Sequence, residues 1–391
     1  MENKTPKEMY KERAQLWRDA SRWNKPKRVL FNSYLYTWMY LDAGYRPIDA
    51  ARDYDVCEQC MVRIAENYKI DALNIGASGF RFPYGIFDVL GKHNIYDIGR
   101  NGEITGVFED RLDEDDYDAL IENQPKILYE KALFRQCPDL KNITPEQFAK
   151  NAYEFIRYKQ AKTKADARLR DEYGVLVEQN MVAFGFAIEN IFNAYRGIKG
   201  MSTDLRRHYD KVEEYCQKRD EAGLASFKER IEVDYGENKN YYDAFTGGLA
   251  HTVLNMKNLE KLYLSTMTKF LNICEEKDLS ILINLEGSFL RFADFFNDYK
   301  KGTVNIMVES DDPYEIRKKA PTIAISGGMP VDIIGHAAPE KCVEYAKKVI
   351  DELGSDGGLV LMPNKMVSYP YDMNSDNLKA VADFVSNYYI N

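Results

Sequence analysis

The sequence has no long apolar run, no cluster of basic residues and no closely spaced pair of histidines, and each absence removes a class of function. Without about 18 consecutive apolar residues there is no candidate membrane helix. The polar start from Met1 to Lys7 lacks the apolar stretch of a secretion signal, so a cytoplasmic protein without a membrane partner is expected. The formal net charge is −9 and the basic residues are scattered, which leaves no electrostatic footprint for nucleic acid. Six cysteines in 391 residues, Cys57, Cys60, Cys137, Cys216, Cys274 and Cys342, are too sparse for a disulfide framework and read as free thiols. Cys57-Glu-Gln-Cys60 has redox spacing, but it lies within a helical pattern with no strand before it, so packing is the expected role. The four histidines, His93, His208, His251 and His336, contain no helical zinc pair, and His208 falls on a charged, solvated helix.

What is present is an ordinary globular balance, 45% hydrophobic and 29% charged. Thr5-Pro-Lys-Glu carries a helix-start signature, and the spacing predicts a helix to about Trp23. Arg28-Val-Leu-Phe-Asn-Ser-Tyr-Leu then reads as a buried strand. A helix from about Ala50 to Tyr68 and a strand from Asp71 repeat the alternation, and a long charged helix runs from Pro145 to about Asp171. Further on, strands are predicted at Val175 to Glu178, Ile281 to Leu285, Val304 to Val308, Thr322 to Ile325 and Gly358 to Leu361. Helices are predicted at Ile188 to Tyr195, Ser202 to Cys216, Asn258 to Glu276, Pro313 to Lys319, Pro339 to Leu353 and Asp376 to Tyr388. Repeated βα units imply a parallel sheet, either open or closed. No GxGxxG or GxxxxGK[ST] follows a strand, which favours an α/β fold closed as a (β/α)₈ TIM barrel with an N-terminal helical extension, one domain over 1–391.

Barrel chemistry sits at the C-terminal strand ends. Glu286 caps the apolar strand Ile281-Leu-Ile-Asn-Leu and is expected to point into the mouth as a proton donor, a cation-holding group or a metal ligand; a structural hydrogen bond to a loop is the other reading. Glu309 closes the next strand, where it either joins Glu286 or complements the helix N-terminus that follows. His251 and His336 fall in loops at plausible mouth positions. Asn180 follows a strand and suits either a substrate oxygen or a helix cap. Ser326-Gly-Gly-Met-Pro, just past a strand, offers backbone N–H groups to an anion or makes a tight barrel loop.

The chain resembles the uroporphyrinogen decarboxylase superfamily over nearly its whole length. The likeness is carried by Thr5-Pro-Lys-Glu-Met-Tyr-Lys-Glu-Arg with Lys25-Pro-Lys-Arg-Val, by Asn193-Ala-Tyr-Arg-Gly-Ile-Lys-Gly-Met, and by the run from Leu285-Glu-Gly through Ser326-Gly-Gly-Met-Pro to Gly357-Gly-Leu-Val-Leu-Met-Pro and Asn377-Leu-Lys-Ala-Val. The resemblance implies a (β/α)₈ barrel and one of two activities, porphyrinogen decarboxylation or corrinoid-linked methyl transfer. The decarboxylases carry an arginine-rich motif; the nearest stretch here, Met39-Tyr-Leu-Asp-Ala-Gly-Tyr-Arg46, keeps one arginine, and Ala77 to Phe82 lacks the acid that grips the pyrroles. One arginine does not offset the desolvation of eight carboxylates. A lyase acting on a tetrapyrrole or smaller acid, with Arg46 and Arg81 as clamps, is the alternative, and a silent ligand-binding barrel a third reading.

The thiol-methylating relatives hold zinc with a His-x-Cys pair and a later cysteine. Here those places read Asn284-Leu-Glu286 and Lys365, so the resemblance implies loss of zinc, with Glu286 and Lys365 as an ion pair in its place. A hard-ligand metal site of Glu286, Glu309 and a histidine is the other metal reading. The expected function is transfer of a methyl group from an O- or N-methylated small molecule to a corrinoid carried by a partner protein. Glu286, His251 and Lys365 are the expected catalytic groups, and Tyr36, Trp38, Phe80, Arg81, Asn180, Asn284 and His336 are the expected substrate contacts.

Overall fold

The structure, a computed structural model, describes residues 4–73, 91–100, 102–107, 109–236 and 239–390. Its strands are β1 (Leu30–Phe31), the pair β2 (Tyr96–Ile98) and β3 (Ile104–Gly106), β4 (Ala183–Phe184), β5 (Ala244–Gly248), β6 (Ile281–Leu285), β7 (Val304–Met307), β8 (Ala324–Met329) and β9 (Leu359–Pro363). The order β1-β9-β8-β7-β6-β5-β4 is parallel throughout, while β2 and β3 form a separate antiparallel hairpin. Parallel bridges from Asn32 to Ala72 and from Ala72 to Leu176 continue the order on the other side of β1. Ala72 thus takes the second place and the segment from Leu176 to β4 the third, which closes a (β/α)₈ barrel.

The barrel interior is filled by Leu30, Tyr34, Ala72, Leu176, Leu282, Met307, Val360 and Met362, in one cluster with Trp17 and Ala20. The last two belong to the helix Pro6–Arg22, which opens with the anticipated capping box at Thr5 and Glu8 and ends at Trp23 in the left-handed region. This helix closes the end of the barrel at which the strands begin. Trp17 packs edge-on against Tyr241 at 5.5 Å, Ala20 O accepts from Gly358 N, and Ser21 Oγ accepts from Asn305 Nδ2 at 3.0 Å. The open end is therefore the one with the C-terminal strand ends.

Several boundaries differ from expectation. β8 continues through Gly327 and Gly328, so Ser326-Gly-Gly-Met is strand, not an anion-binding loop; Ser326 Oγ donates to Asn305 Oδ1 at 2.8 Å inside the barrel. β5 was not apparent in the sequence because its Gly-Gly end lowers strand propensity. The third strand kinks between Leu176 and β4, and Asn180, exposed with φ 43°, lies in the kink instead of at the mouth. Its neighbour Gln179 donates from Nε2 to Tyr10 Oη of the closing helix at 2.8 Å, which places the kink toward the closed end. All six cysteines are buried free thiols, as the sequence indicated. Among the described residues no helix is long and apolar enough to cross a membrane.

Candidate functional site

The open end gathers three glutamates on three βα connections: Glu189 after β4, Glu286 after β6 and Glu309 after β7. Each is placed by backbone. Glu189 is buried and accepts from Ala250 N at 2.8 Å, Leu249 N at 3.1 Å and Asn193 Nδ2 at 3.0 Å. Gly248 makes room for it, since a Cβ there would overlap the Glu189 carboxylate. Glu309 is half-buried; its Oε2 accepts from Gly287 N at 3.0 Å, and its carbonyl accepts from Asn364 Nδ2 at 3.1 Å. Gly287 turns with φ 80°, a left-handed backbone that suits glycine and aims its N–H at Glu309. Glu286 follows directly on β6, its N–H donating to Gly248 O at 3.1 Å.

These surroundings favour the protonated carboxyl. Burial pushes Glu189 up to about 7, with Glu286 adding repulsion against the three stabilising N–H groups. Burial also takes Glu309 to about 7; the Gly287 N–H and Lys365 act against the rise and the charge of Glu286 adds to it. Water reaches the Glu286 carboxyl, yet the surrounding walls strip enough solvent to raise it as well. Below them Tyr34 is buried in the barrel axis, kept neutral first by burial and then by Glu309, Glu286 and Glu178, and the Asn284 amide donates to its hydroxyl. Asn284 Oδ1 is buried without a partner among the described residues, an acceptor facing the same interior. Three carboxyls whose surroundings favour the proton, beside a phenol and an amide, can give a proton to a leaving atom or hold a cation.

A consequence for stability follows from the direction of these shifts. The proton on Glu189 contributes fully below its ordinary 4.5, and the contribution is lost as pH rises to about 7. The loss for this one buried group is on the order of 3 kcal/mol. Thermal unfolding of wild type and Glu189→Gln between pH 5 and pH 8 checks this: wild type is expected to lose stability across that window, and the variant clearly less.

Other expected site residues fall elsewhere. Lys365 pairs with Asp372 at 2.8 Å and not with Glu286, because Asp372 is fixed by the Ser368 and Tyr369 N–H groups in a turn that folds back beside the lysine. His251, expected at the open mouth, is fully buried against Tyr263 and Phe292, and burial with Arg291 nearby pushes it down to about 4, so it is neutral. Tyr36 and Trp38, expected as pocket walls, are packed in the core, with Trp38 Nε1 donating to Met373 O at 3.0 Å. His336 is exposed and stacked on Tyr371. Phe80 and Arg81 lie outside the described residues. Glu189 and Tyr34 were not singled out from sequence; the only local sign of Glu189 was an acid in the first turn of a helix after an aromatic-glycine-aromatic step.

The zinc held by the thiol-methylating relatives does not fit the residues present. Its places hold the Asn284 amide, the Glu286 carboxyl and an ammonium already paired to Asp372, with no soft donor. Among the described residues no three His, Cys, Asp or Glu side chains are grouped to hold a metal.

No protein-family model matches the chain, and no curated protein matches it. Among solved structures it is similar to a methyltransferase from Methanosarcina mazei, with a TM-score of 0.58 and 11% identity over 96% of this chain and 98% of that chain. By fold the chain is an α/β barrel of the TIM type.

Proposed function

We propose that this chain is a methyltransferase that holds an O- or N-methylated small molecule in the barrel mouth and passes its methyl group to a corrinoid carried by a partner protein. The observation that carries the reading is the set of three mouth carboxyls, Glu189, Glu286 and Glu309, whose surroundings all favour the protonated form. The corrinoid supplies the electron pair for the new bond to methyl. When the bond between methyl and its oxygen or nitrogen breaks, that atom keeps the bonding pair and needs a proton. Glu286, reached by water, gives it; burial favours its protonated form, and Glu309 and Glu189 stand beside it as further carboxyls that favour the proton. Asn284 Oδ1, without a partner among the described residues, is the acceptor for a polar hydrogen of the substrate.

The similarity in fold to a methyltransferase supports this reading. A lyase acting on a polycarboxylate fits less well, because the mouth gathers acids. Arg46, one of its two clamps, is exposed beside Asp49 at 3.7 Å, and Lys365 already faces Asp372. The test is to mix the protein with a reduced corrinoid protein and either methoxylated aromatics or methylated amines, and to follow the cobalt absorbance. Methylation of cobalt with one donor class is expected. Turnover of a tetrapyrrole acid, with no donor changing the cobalt spectrum, would contradict the assignment.

A further inference from the structure

The closed end of the barrel carries a second concave site of opposite charge. A cleft of about 830 Å³ lies between the helix Pro6–Arg22, the end of the helix Pro145–Tyr173 and the residues Gln179, Gly236 and Lys239. Its described lining includes Lys7, Lys11, Arg18, Arg170 and Lys239 against one acid, Asp171. Five cations in one hollow stand out in a chain of net charge −9.

The floor is organised. Arg170 is held by Asp171 at 2.7 and 2.8 Å and donates from Nη1 to Gln179 Oε1 at 3.0 Å; Gln179 Nε2 donates to Tyr10 Oη at 2.8 Å. Arg170 and Arg18 both act electrostatically on the Tyr10 hydroxyl, which puts two guanidinium groups around one half-buried phenol. Lys239 is tied to Asp243 at 2.9 Å, whereas Lys11 and Arg18 make no ion pair or hydrogen bond among the described residues.

A charged helix face is most often solvated surface with both signs mixed. This helix separates them. Of this helix's own charged residues, Lys7, Lys11 and Arg18 line the cleft, while Glu8, Glu12 and Asp19 line a neighbouring hollow together with Lys4 and Lys27, where Glu12 meets Lys4 at 2.5 Å; Gln15 borders both. Like charges gathered in a concavity repel one another unless an anion sits between them, and low-dielectric walls strengthen both effects. The volume suits a small molecule, and guanidinium groups beside ammonium groups suit phosphate oxygens.

We infer that this cleft binds a small molecule bearing two or more phosphates, at the end of the barrel opposite the acidic mouth and independently of the chemistry there. Titration calorimetry of the whole chain at low salt with tripolyphosphate and with ATP tests it, the first probing the phosphate requirement alone and the second any gain from a base and sugar. Saturable binding of at least one of them is expected, weakened at least about tenfold in the Lys11→Glu/Arg18→Glu double variant and by a smaller factor in Lys11→Gln/Arg18→Gln. A Lys341→Glu/Lys347→Glu control, remote from the cleft, is expected to bind as wild type. No heat at millimolar anion, or equal weakening in the remote control, overturns the inference. Circular dichroism of each variant establishes that the fold is retained, and since no methyl donor is present the result is separate from the outcome at the mouth.

Discussion

Replacing Glu286 with glutamine is expected to lower kcat for methyl transfer by about 10²–10⁴-fold, the range of a lost general acid. The amide keeps the size and the water-facing position of the side chain and removes only the transferable proton. Because the exposed Glu286 side chain makes no hydrogen bond among the described residues, thermal stability should change little. The loss should fall in kcat more than in KM, since the proton moves only as the bond to methyl breaks. A donor whose leaving group is already stable as an anion should be nearly insensitive to the substitution. Equal loss with both kinds of donor would reassign Glu286 to substrate positioning. Wild-type kcat should fall as pH rises and Glu286, held above its ordinary 4.5 by burial, gives up its proton.

Asp71→Ala is expected to cost about 3–5 kcal/mol of stability without any direct effect on the mouth. The carboxylate is almost wholly buried. It accepts from Arg28 Nη1 and Nη2, both at 2.7 Å, from Arg13 Nε at 3.1 Å and from Phe31 N at 2.9 Å. It therefore joins the closing helix, the start of β1 and the second place in the barrel. Burial alone would raise Asp71, but Arg28 and then Arg13, with the Phe31 N–H, hold it below its ordinary 3.8. Its contribution is present above 3.8 and is lost as pH falls below that value, so the penalty of the substitution should shrink in strong acid. Removing the acid leaves two guanidinium groups in the interior without a counter-charge, which is why the loss should far exceed that of a surface pair. Denaturant unfolding measures it; a change under 1 kcal/mol would mean that the arginines find other partners.

The sequence was most legible where one residue's neighbours in the chain are also its neighbours in space. Ile281 to Leu285 is a strand at the expected bounds because four apolar residues, interrupted only by Asn284, run between Ser280 and Glu286, and Pro313 to Lys319 is a helix at the expected bounds because Asp312 and Pro313 fix its start. The strand ends of β8 and β5 were hidden by paired glycines, which sheet pairing on both sides tolerates and local propensity does not. The carboxyl pair was foreseeable in Glu286 and Glu309, each closing an apolar strand. Glu189 was not, since its role depends on N–H groups sixty residues away at Leu249 and Ala250. Lys365 was paired with the wrong acid for a similar reason: two backbone N–H groups aim Asp372 at it, and nothing in the local pattern displays that.

The account depends on carboxyl groups at the barrel mouth that still carry protons near neutrality. Difference infrared spectroscopy across a titration from pH 4 to pH 9 reads those protons with no substrate needed. Carboxyl bands titrating near 7 are expected in wild type, with one band missing in Glu309→Gln and the Glu309 band moved to lower pH in Glu286→Gln. If every carboxyl band is gone by pH 5.5, the mouth holds only ordinary carboxylates and the proposed proton transfer has no source.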